Sequence, residues 1–298
     1  MYFGLYLIGQ ATGKGPAAPI ADPAFCIPFA RHAEELGFDS IFLVDHIVFP
    51  AAKQARYPYT ASGEYPWDND AAQLPEPLAL MSFLAGATTT LRFGTAVLVL
   101  PQRNPLLLAK QLATMDRLSG GRIELGIGAG WLRDEFEALG WGFDDRGSRT
   151  DEWIDVLRVL WRDRVASHAG EHLDFTDLRL TTHPVQPGGV PIIVGGHSAP
   201  ALRRAGRRGD GFLPAQNVEQ APEDYRRWWD AVRGHAAAAG REPDAVQLHG
   251  FGATLAGAEH LAALGAVRMI WSVSEPDLDS SRRALDRFRA DVIDRFGR

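Results

Sequence analysis

The amino-acid sequence predicts an α/β protein folded as a single (β/α)8 TIM barrel. Short apolar runs of strand length recur along the whole chain, and segments with helical spacing of apolar residues separate them. A chain of 298 residues with 46% hydrophobic content is long enough for one large core. An open doubly wound sheet is the alternative, and we favour the barrel because an open sheet leaves two edges and usually has fewer strands. We expect one domain over residues 1–298, with two domains as the alternative.

The predicted strands follow one another in chain order. Each is a short apolar run rich in residues that favour extended structure. The eight candidates are residues 2–8, 40–44, 92–98, 122–127, 192–194, 211–213, 246–251 and 267–271.

Helical spacing is clearest between the fourth and fifth predicted strands. Apolar side chains recur there at i, i+3, i+4, i+7 and i+8, namely Trp153, Val156, Leu157, Leu160 and Trp161. Ser148 and Asp151 form an S-x-x-D capping arrangement, which predicts that this helix begins at Ser148. Asp22 before Pro23 predicts the start of the first helix, and Gly37 predicts its end.

Two segments interrupt the alternation of strands and helices. Residues 47–76 contain several tyrosines, prolines and a tryptophan without periodicity, which predicts a long loop after the second strand. In a barrel this loop lies on the catalytic face, either as an aromatic wall or lid over the substrate or as a surface loop packed by its own rings. Residues 165–186 predict a small hairpin inserted before the fifth strand.

Composition excludes several classes of partner. A net charge of -6 and a pI near 5.9 give no general attraction to nucleic acid or to anionic membranes. The longest apolar runs, such as residues 95–100, are far shorter than the roughly 20 residues that span a bilayer. Cys26 is the only cysteine, and no signal-like leader precedes the first strand. We therefore expect a cytoplasmic protein that binds neither nucleic acid nor membranes.

A glycine-rich run spans the end of the fourth predicted strand. Gly126, Gly128 and Gly130 precede Trp131. The dinucleotide fingerprint G-x-G-x-x-G needs its third glycine at position 131, so the third glycine of this run falls one position early and Trp131 occupies the required place. No suitable acidic residue closes a second strand about 20 residues later. The run therefore does not predict a Rossmann fold, and its glycines either let a ligand approach the backbone or form a structural turn.

A second pair of glycines, Gly195 and Gly196, ends the fifth predicted strand. Ser198 and Pro200 follow as a helix cap and an early-helix proline, so backbone N–H groups are expected to converge on one point. This point is either a phosphate site or an ordinary capped helix start. Four arginines in the helix either serve an anionic tail or form a solvated face: Arg203, Arg204, Arg207 and Arg208.

Asp45 and His46 end the second predicted strand, where barrel enzymes place their chemistry. A histidine at this position can exchange protons near neutral pH, and a purely structural histidine is the alternative. The sequence contains no H-E-x-x-H, no Cys-x-x-Cys and no G-x-S-x-G motif. Metal-dependent hydrolysis and serine-nucleophile chemistry therefore lack their parts.

Together these segments resemble the bacterial luciferase-like superfamily, and within it the actinobacterial branch of coenzyme F420-dependent oxidoreductases. The resemblance runs from end to end of the chain. It is carried by residues 34–40, 44–46, 92–98, 118–122, 126–131 and 191–211.

The resemblance implies a deazaflavin or flavin ring at the C-terminal face of the barrel. The ring is expected against a bulge in the third strand at Ala96 and Val97, with the peptide between them cis or strongly distorted. Gly130 and Trp131 are candidate cofactor-binding residues, and Trp131 is expected to wall the pocket. The phosphate side is implied at Gly195, Gly196, His197 and Ser198. Sugar-phosphate dehydrogenases of this class carry an acidic residue where this chain has Trp131, which argues against glucose 6-phosphate as the substrate.

The predicted function is F420-dependent hydride transfer between C5 of the deazaflavin and an unidentified small organic substrate. His46 is the candidate proton donor or acceptor, and Asp45 is expected to orient it or to hold local charge. The alternatives are an FMN-dependent two-component monooxygenase and a cofactor- or ligand-binding barrel without turnover. The resemblance also implies a homodimer.

Overall fold

Eight parallel strands form the barrel in the computed structural model, which describes residues 1–7, 11–12, 18–50, 56–58, 60, 63, 67–68 and 73–297. The strands are β1 Tyr2–Leu7, β2 Ser40–Leu43, β3 Arg92–Thr95 with its continuation Leu98–Val99, β4 Leu125–Gly128, β5 Ile192–Gly195, β6 Gly211–Leu213, β7 Gln247–Phe251 and β8 Arg268–Val273. The first part of β3 pairs with β2 and its continuation pairs with β4, so that the sheet closes through β3. The predicted (β/α)8 barrel is confirmed.

Helices cover the outside of the barrel between successive strands. They are α1 Pro23–Glu35, α2 Pro77–Ala87, α3 Pro105–Ser119, α4 Arg133–Ala138, α5 Arg146–Arg162, α6 Ala199–Arg208, α7 Pro222–Ala238, α8 Leu255–Ala263 and α9 Leu278–Phe288. As predicted, α1 begins after Asp22, whose side chain accepts from the Ala24 N–H, and Gly37 follows its end with φ +79°. In the part of the chain that the structure describes, no helix is both long and apolar enough to cross a bilayer.

The start of α5 differs from the prediction. The helix begins at Arg146, and Ser148 lies inside its first turn with Oγ donating to the Asp145 carbonyl at 3.0 Å. Asp151 completes the sequence pattern of a capping box, but its carboxylate instead accepts from Arg204 Nε of α6 at 2.6 Å. A tertiary ion pair therefore explains this aspartate better than a local cap does.

Alternate residues of the strands fill the inside of the barrel. A small cluster of buried side chains, separate from the main core, joins Phe42, Ile193, Leu213 and Ile270, each from a different strand. Because side chains alternate between the two faces of a strand, this cluster is the interior packing layer. Tyr6, Ala96 and Phe251 lie partly buried against it. These three residues form an apolar floor for anything bound at the C-terminal end.

Paired charges close the N-terminal end of the barrel. Arg268 on β8 binds Asp39 at 2.7 Å and Glu124 at 2.6 Å, and Arg92 on β3 also binds Glu124 at 2.6 Å. Burial alone would raise the pKa of Glu124, but Arg268 and Arg92 lower it to about 2. A cavity of about 610 Å³ lies at this end of the barrel, and these charged side chains are among the residues that line it. Because these charges pair with one another, we assign this end a structural role.

The two predicted interruptions are present to different extents. Ala166–Ala169 and Asp174–Leu178 form an antiparallel hairpin inside the predicted insertion 165–186. Within the long loop 47–76, Trp67–Asp68 pairs antiparallel with Ala11–Thr12. Much of this loop lies outside the described residues, including Tyr59 and Tyr65, two of the tyrosines from which the aromatic wall or lid was expected.

Candidate active site

The residues predicted for the site lie at the C-terminal ends of four neighbouring strands. His46 follows β2, the Ala96–Val97 peptide interrupts β3, Trp131 follows β4, and Gly196 follows β5. These strands pair in the order β2, β3, β4, β5. The fold therefore brings the histidine, the bulge and the glycine turns to one edge, which is where barrel enzymes place their chemistry.

His46 is buried among aromatic rings and bound to a carboxylate. Its Nδ1 lies 3.1 Å from Oε2 of Glu135, and its side chain is 7% exposed. The rings of Phe49 and Trp131 lie 4.4 Å and 6.0 Å from the imidazole, between ring centroids. Tyr57 packs edge-on against Trp131 at 5.1 Å. Two aromatic side chains thus flank the histidine, and Tyr57 in turn packs against one of them, Trp131.

Glu135 lies on α4 and is 1% exposed. Its Oε1 accepts hydrogen bonds from the backbone N–H groups of Ile47 at 2.6 Å and Val48 at 3.2 Å. Burial alone would raise the pKa of Glu135, but the hydrogen bonds from His46 and Ile47 lower it. The ionised form of this carboxylate is therefore favoured, and it can only accept hydrogen bonds.

Of the two roles expected for Asp45, orienting His46 or holding local charge, its contacts favour the second. Its Oδ2 accepts from the Val99 N–H at 2.9 Å, and its Oδ1 accepts from Arg103 at 2.8 Å. Arg103 also binds Glu76, at 2.8 Å. Burial raises the pKa of Asp45, and Arg103 and the Val99 N–H act against that rise. Asp45 therefore joins the end of β2 to the continuation of β3, and Glu135 is the carboxylate that binds His46.

The Ala96–Val97 peptide is cis, as the resemblance implied. The Val97 side chain fills the space between β4 and β5. A Cβ atom on Gly128 would lie 2.6 Å from Val97 Cγ2, and one on Gly195 would collide with Val97 Cγ1. Gly126 similarly leaves room for the Thr95 carbonyl. Contacts within the chain thus explain these glycines, which favours the structural alternative over close approach of a ligand.

Gly130 also has a structural explanation. Its φ is +83°, and a Cβ atom there would lie 2.6 Å from the Phe136 ring and 2.7 Å from Val99. Its carbonyl accepts from Arg146 Nε at 3.1 Å. The turn at Gly130 therefore sets the position of the next residue, Trp131, relative to α4.

The turn between β5 and α6 partly matches the predicted phosphate site. Gly196 has φ +92°, and Ser198 caps α6 by accepting from the Ala201 N–H at 3.4 Å. The Gly196 N–H is already donated to the Leu213 carbonyl at 3.0 Å. His197 stacks on Trp228 with ring centroids 4.3 Å apart, and burial lowers the pKa of His197. The part of this turn that could hold an anion is therefore the capped helix start that follows Gly196.

The four arginines of α6 divide into two pairs. Arg204 binds Asp151 at 2.6 Å and Arg208 binds Asp155 at 3.0 Å, both on α5. Arg203 and Arg207 are exposed. The prediction of one arginine group serving an anionic tail or a solvated face is therefore wrong for Arg204 and Arg208, because they fasten two helices together.

Sequence reasoning missed Glu135. The start of helix α4 offers one signal, because Leu132, Glu135 and Phe136 share the spacing of an apolar helix face and all three are buried. A carboxylate within an apolar stripe requires donors from elsewhere in the fold. Among the described residues, no three His, Cys, Asp or Glu side chains converge as a metal site would need.

Comparison with known proteins places this geometry in a family. The sequence matches the luciferase-like monooxygenase family over residues 1–295. An uncharacterized protein of Mycobacterium tuberculosis is 33% identical over 289 residues, which cover 93% of this chain and 97% of that protein. The F420-dependent glucose-6-phosphate dehydrogenase of Amycolatopsis mediterranei is 32% identical over 206 residues, covering 68% of this chain and 56% of that protein.

Solved structures share the fold at low sequence identity. The monooxygenase RslO1 from Streptomyces bottropensis has a TM-score of 0.76 and 20% identity, and the match covers 100% of both chains. An F420-dependent secondary alcohol dehydrogenase, solved with an F420–acetone adduct, has a TM-score of 0.75 and 18% identity over 98% of both chains. These likenesses show the barrel fold. The sequence match over nearly the whole chain shows that this protein belongs to the luciferase-like monooxygenase family.

Proposed function

We propose that the protein is an F420-dependent oxidoreductase that transfers a hydride between C5 of the deazaflavin and a small organic substrate. The observation that carries this proposal is the buried His46–Glu135 pair at the C-terminal end of the barrel, 3.1 Å apart. Membership of the family and the similarity to an F420-dependent dehydrogenase support the choice of cofactor. A histidine held in this way is suited to proton transfer, since both its position and the partner of one ring nitrogen are fixed.

The residues at this end of the barrel fit a flat ring with a phosphate-bearing chain. Ala96 and Val97 offer an apolar surface for the ring, and Val97 extends that surface to β4 and β5. The capped N-terminus of α6, after Gly196, favours an anion through its helix dipole and first-turn N–H groups. Gly195, His197 and Ser198 belong to the same turn. We propose that the ring lies on the first surface and the phosphate at the second.

The chain's own residues then handle protons and exclude water. The bound deazaflavin supplies or accepts the hydride at C5. Oxidation of an alcohol removes a hydride from carbon and a proton from oxygen, and reduction of a carbonyl adds both. His46 Nε2 takes up that proton in one direction and returns it in the other. Phe49 and Trp131, the latter packed against Tyr57, keep bulk water from the imidazole.

Two alternatives make different predictions in one experiment. The purified protein is mixed with F420 or its reduced form and a panel of alcohols and carbonyl compounds, and the absorbance of the deazaflavin is followed. We expect turnover with at least one substrate pair. Tight FMN binding with oxygen-dependent turnover after addition of a flavin reductase would favour the monooxygenase. Saturable cofactor binding with no turnover for any acceptor would favour a binding barrel.

A further inference from the structure

We propose that Glu135 is the positioning residue of the active site, fixing the tautomer of His46 and anchoring the first residues of the 47–76 loop at the same time. This inference rests on the proposed role of His46 for its catalytic consequence. Its structural content is independent of any cofactor. That structural content is the tautomer of the His46 imidazole and the hydrogen bonds of the Ile47 and Val48 backbone amides.

Three donors from consecutive residues converge on the Glu135 carboxylate. His46 Nδ1 lies 3.1 Å from Oε2, and the N–H groups of Ile47 and Val48 donate to Oε1 at 2.6 Å and 3.2 Å. A carboxylate that is 1% exposed cannot rely on water for these bonds. One side chain of α4 thus holds the histidine and the first two residues of the loop.

The direction of the bond to His46 follows from the chemistry of its partner. An ionised carboxylate only accepts, so in the neutral imidazole Nδ1 carries the proton and Nε2 carries the lone pair. The same pattern, in which a second group fixes which nitrogen is protonated, prepares histidines for general-base catalysis. Glu135 therefore sets Nε2 as the nitrogen that receives the substrate proton.

The neighbouring residue is held by a separate system. Asp45 binds Val99 and Arg103 on the β3 side, while His46 is held from the α4 side. The strand end is thus fastened in two directions by two carboxylates. We expect that loss of Glu135 removes the carboxylate contact of the His46 imidazole and of the Ile47 and Val48 amides. The connection between β2 and β3 through Asp45 should stay intact.

The experiment compares Glu135→Gln with Glu137→Gln, which makes the same chemical change at an exposed position on the same helix. Nitrogen chemical shifts of the histidines are recorded by NMR in the full chain without cofactor, at a pH where His46 is neutral. We expect wild type and Glu137→Gln to show a protonated Nδ1 and an unprotonated Nε2. Glu135→Gln should shift the population towards protonated Nε2.

Two further readouts follow from the same contacts. Amide hydrogen exchange at Ile47 and Val48 should accelerate about tenfold or more in Glu135→Gln, because a neutral amide accepts more weakly than a carboxylate. In the F420 assay, kcat should fall by about 10- to 10⁴-fold with KM little changed, as expected when a catalytic histidine loses its fixed tautomer. Glu137→Gln should match wild type in both.

The outcomes separate this proposal from the proposed function. If wild type shows protonated Nε2, or if Glu135→Gln leaves the tautomer and both amides unchanged, the positioning role is wrong whatever the enzyme does. If the tautomer and amides respond but no F420-dependent turnover is found, the positioning stands and the proposed function fails. Should Glu135→Gln not fold, the wild-type tautomer alone still decides the first point.

Discussion

His46 shows how far a single residue can be understood from the sequence. Its place after a predicted barrel strand was enough to predict that it lies at the catalytic end. Its partner Glu135 is 89 positions away, so no local pattern joins the two. Asp45 is not the orienting partner of His46, because donors on the β3 side take its carboxylate. Its carboxylate accordingly meets Val99 and Arg103.

The His46→Ala variant tests the role of the imidazole. We expect turnover to fall by about 10²- to 10⁴-fold, since a positioned acid or base contributes that much, while F420 affinity largely survives. His32→Ala is the control, because that histidine lies on the outer helix α1 and pairs with Asp286 of the outer helix α9. Equal turnover and an equal melting temperature in wild type and His46→Ala would leave His46 a structural residue only.

At the scale of elements, periodicity predicted the eight strands and the insertion before β5 because these depend on local patterns of apolar residues. Details that depend on tertiary contacts were not accessible in the same way. Ser148 and Asp151 resembled a capping box, but the helix begins before Ser148 and the Asp151 carboxylate binds Arg204 of α6. The glycines around the end of β4 left close approach of a ligand and a structural turn as alternatives, and their contacts with Thr95, Val97 and Phe136 favour the structural one.

Gly196→Val tests the turn between β5 and α6. A branched residue is strained at φ +92°, and its side chain is expected to obstruct the start of α6, so F420 affinity should fall at least about tenfold. Gly188→Val is the matched control, because Gly188 has φ +81° with no atom within 4 Å of a built Cβ. Both variants should lose similar stability. Unchanged F420 binding in folded Gly196→Val would remove this turn from the cofactor site.

At the scale of the whole molecule, the two ends of the barrel have different tasks, with paired charges at one end and the candidate site at the other. The pKa of Glu124 is lowered from 4.5 to about 2, so the ion pairs of Glu124 stabilise the fold above the unfolded-state pKa. This contribution, about 3 kcal/mol in total, declines as the pH falls below the unfolded-state pKa of 4.5 and is gone once the pH has passed through the folded-state value of about 2.

Denaturant unfolding of wild type and Glu124→Gln between about pH 6 and pH 3 measures this contribution. We expect the variant to be less stable at the upper end of the range. The difference in the free energy of unfolding should shrink as the pH falls. A difference that stays constant across the range would show that Glu124 is not held ionised by Arg268 and Arg92.

The homodimer stays a prediction, and exposed apolar side chains suggest where to test it. Phe83 on α2 is 48% exposed and Leu107 on α3 is 59% exposed. If these helices form the contact between two copies, Phe83→Asp should convert a dimer into a folded monomer. Light scattering after size-exclusion chromatography measures this. A wild-type monomer at micromolar concentration would contradict the dimer, and a dimeric Phe83→Asp would place its contact elsewhere.

Parallel fluorescence titrations with F420 and with FMN test the central claim most directly. We predict that F420 binds with a dissociation constant of about 10⁻⁶ M or tighter, roughly -8 kcal/mol or better, and that FMN binds more weakly. Gly196→Val should weaken the F420 isotherm, and Gly188→Val should reproduce that of wild type. Tight binding of FMN together with no detectable binding of F420 would contradict the account.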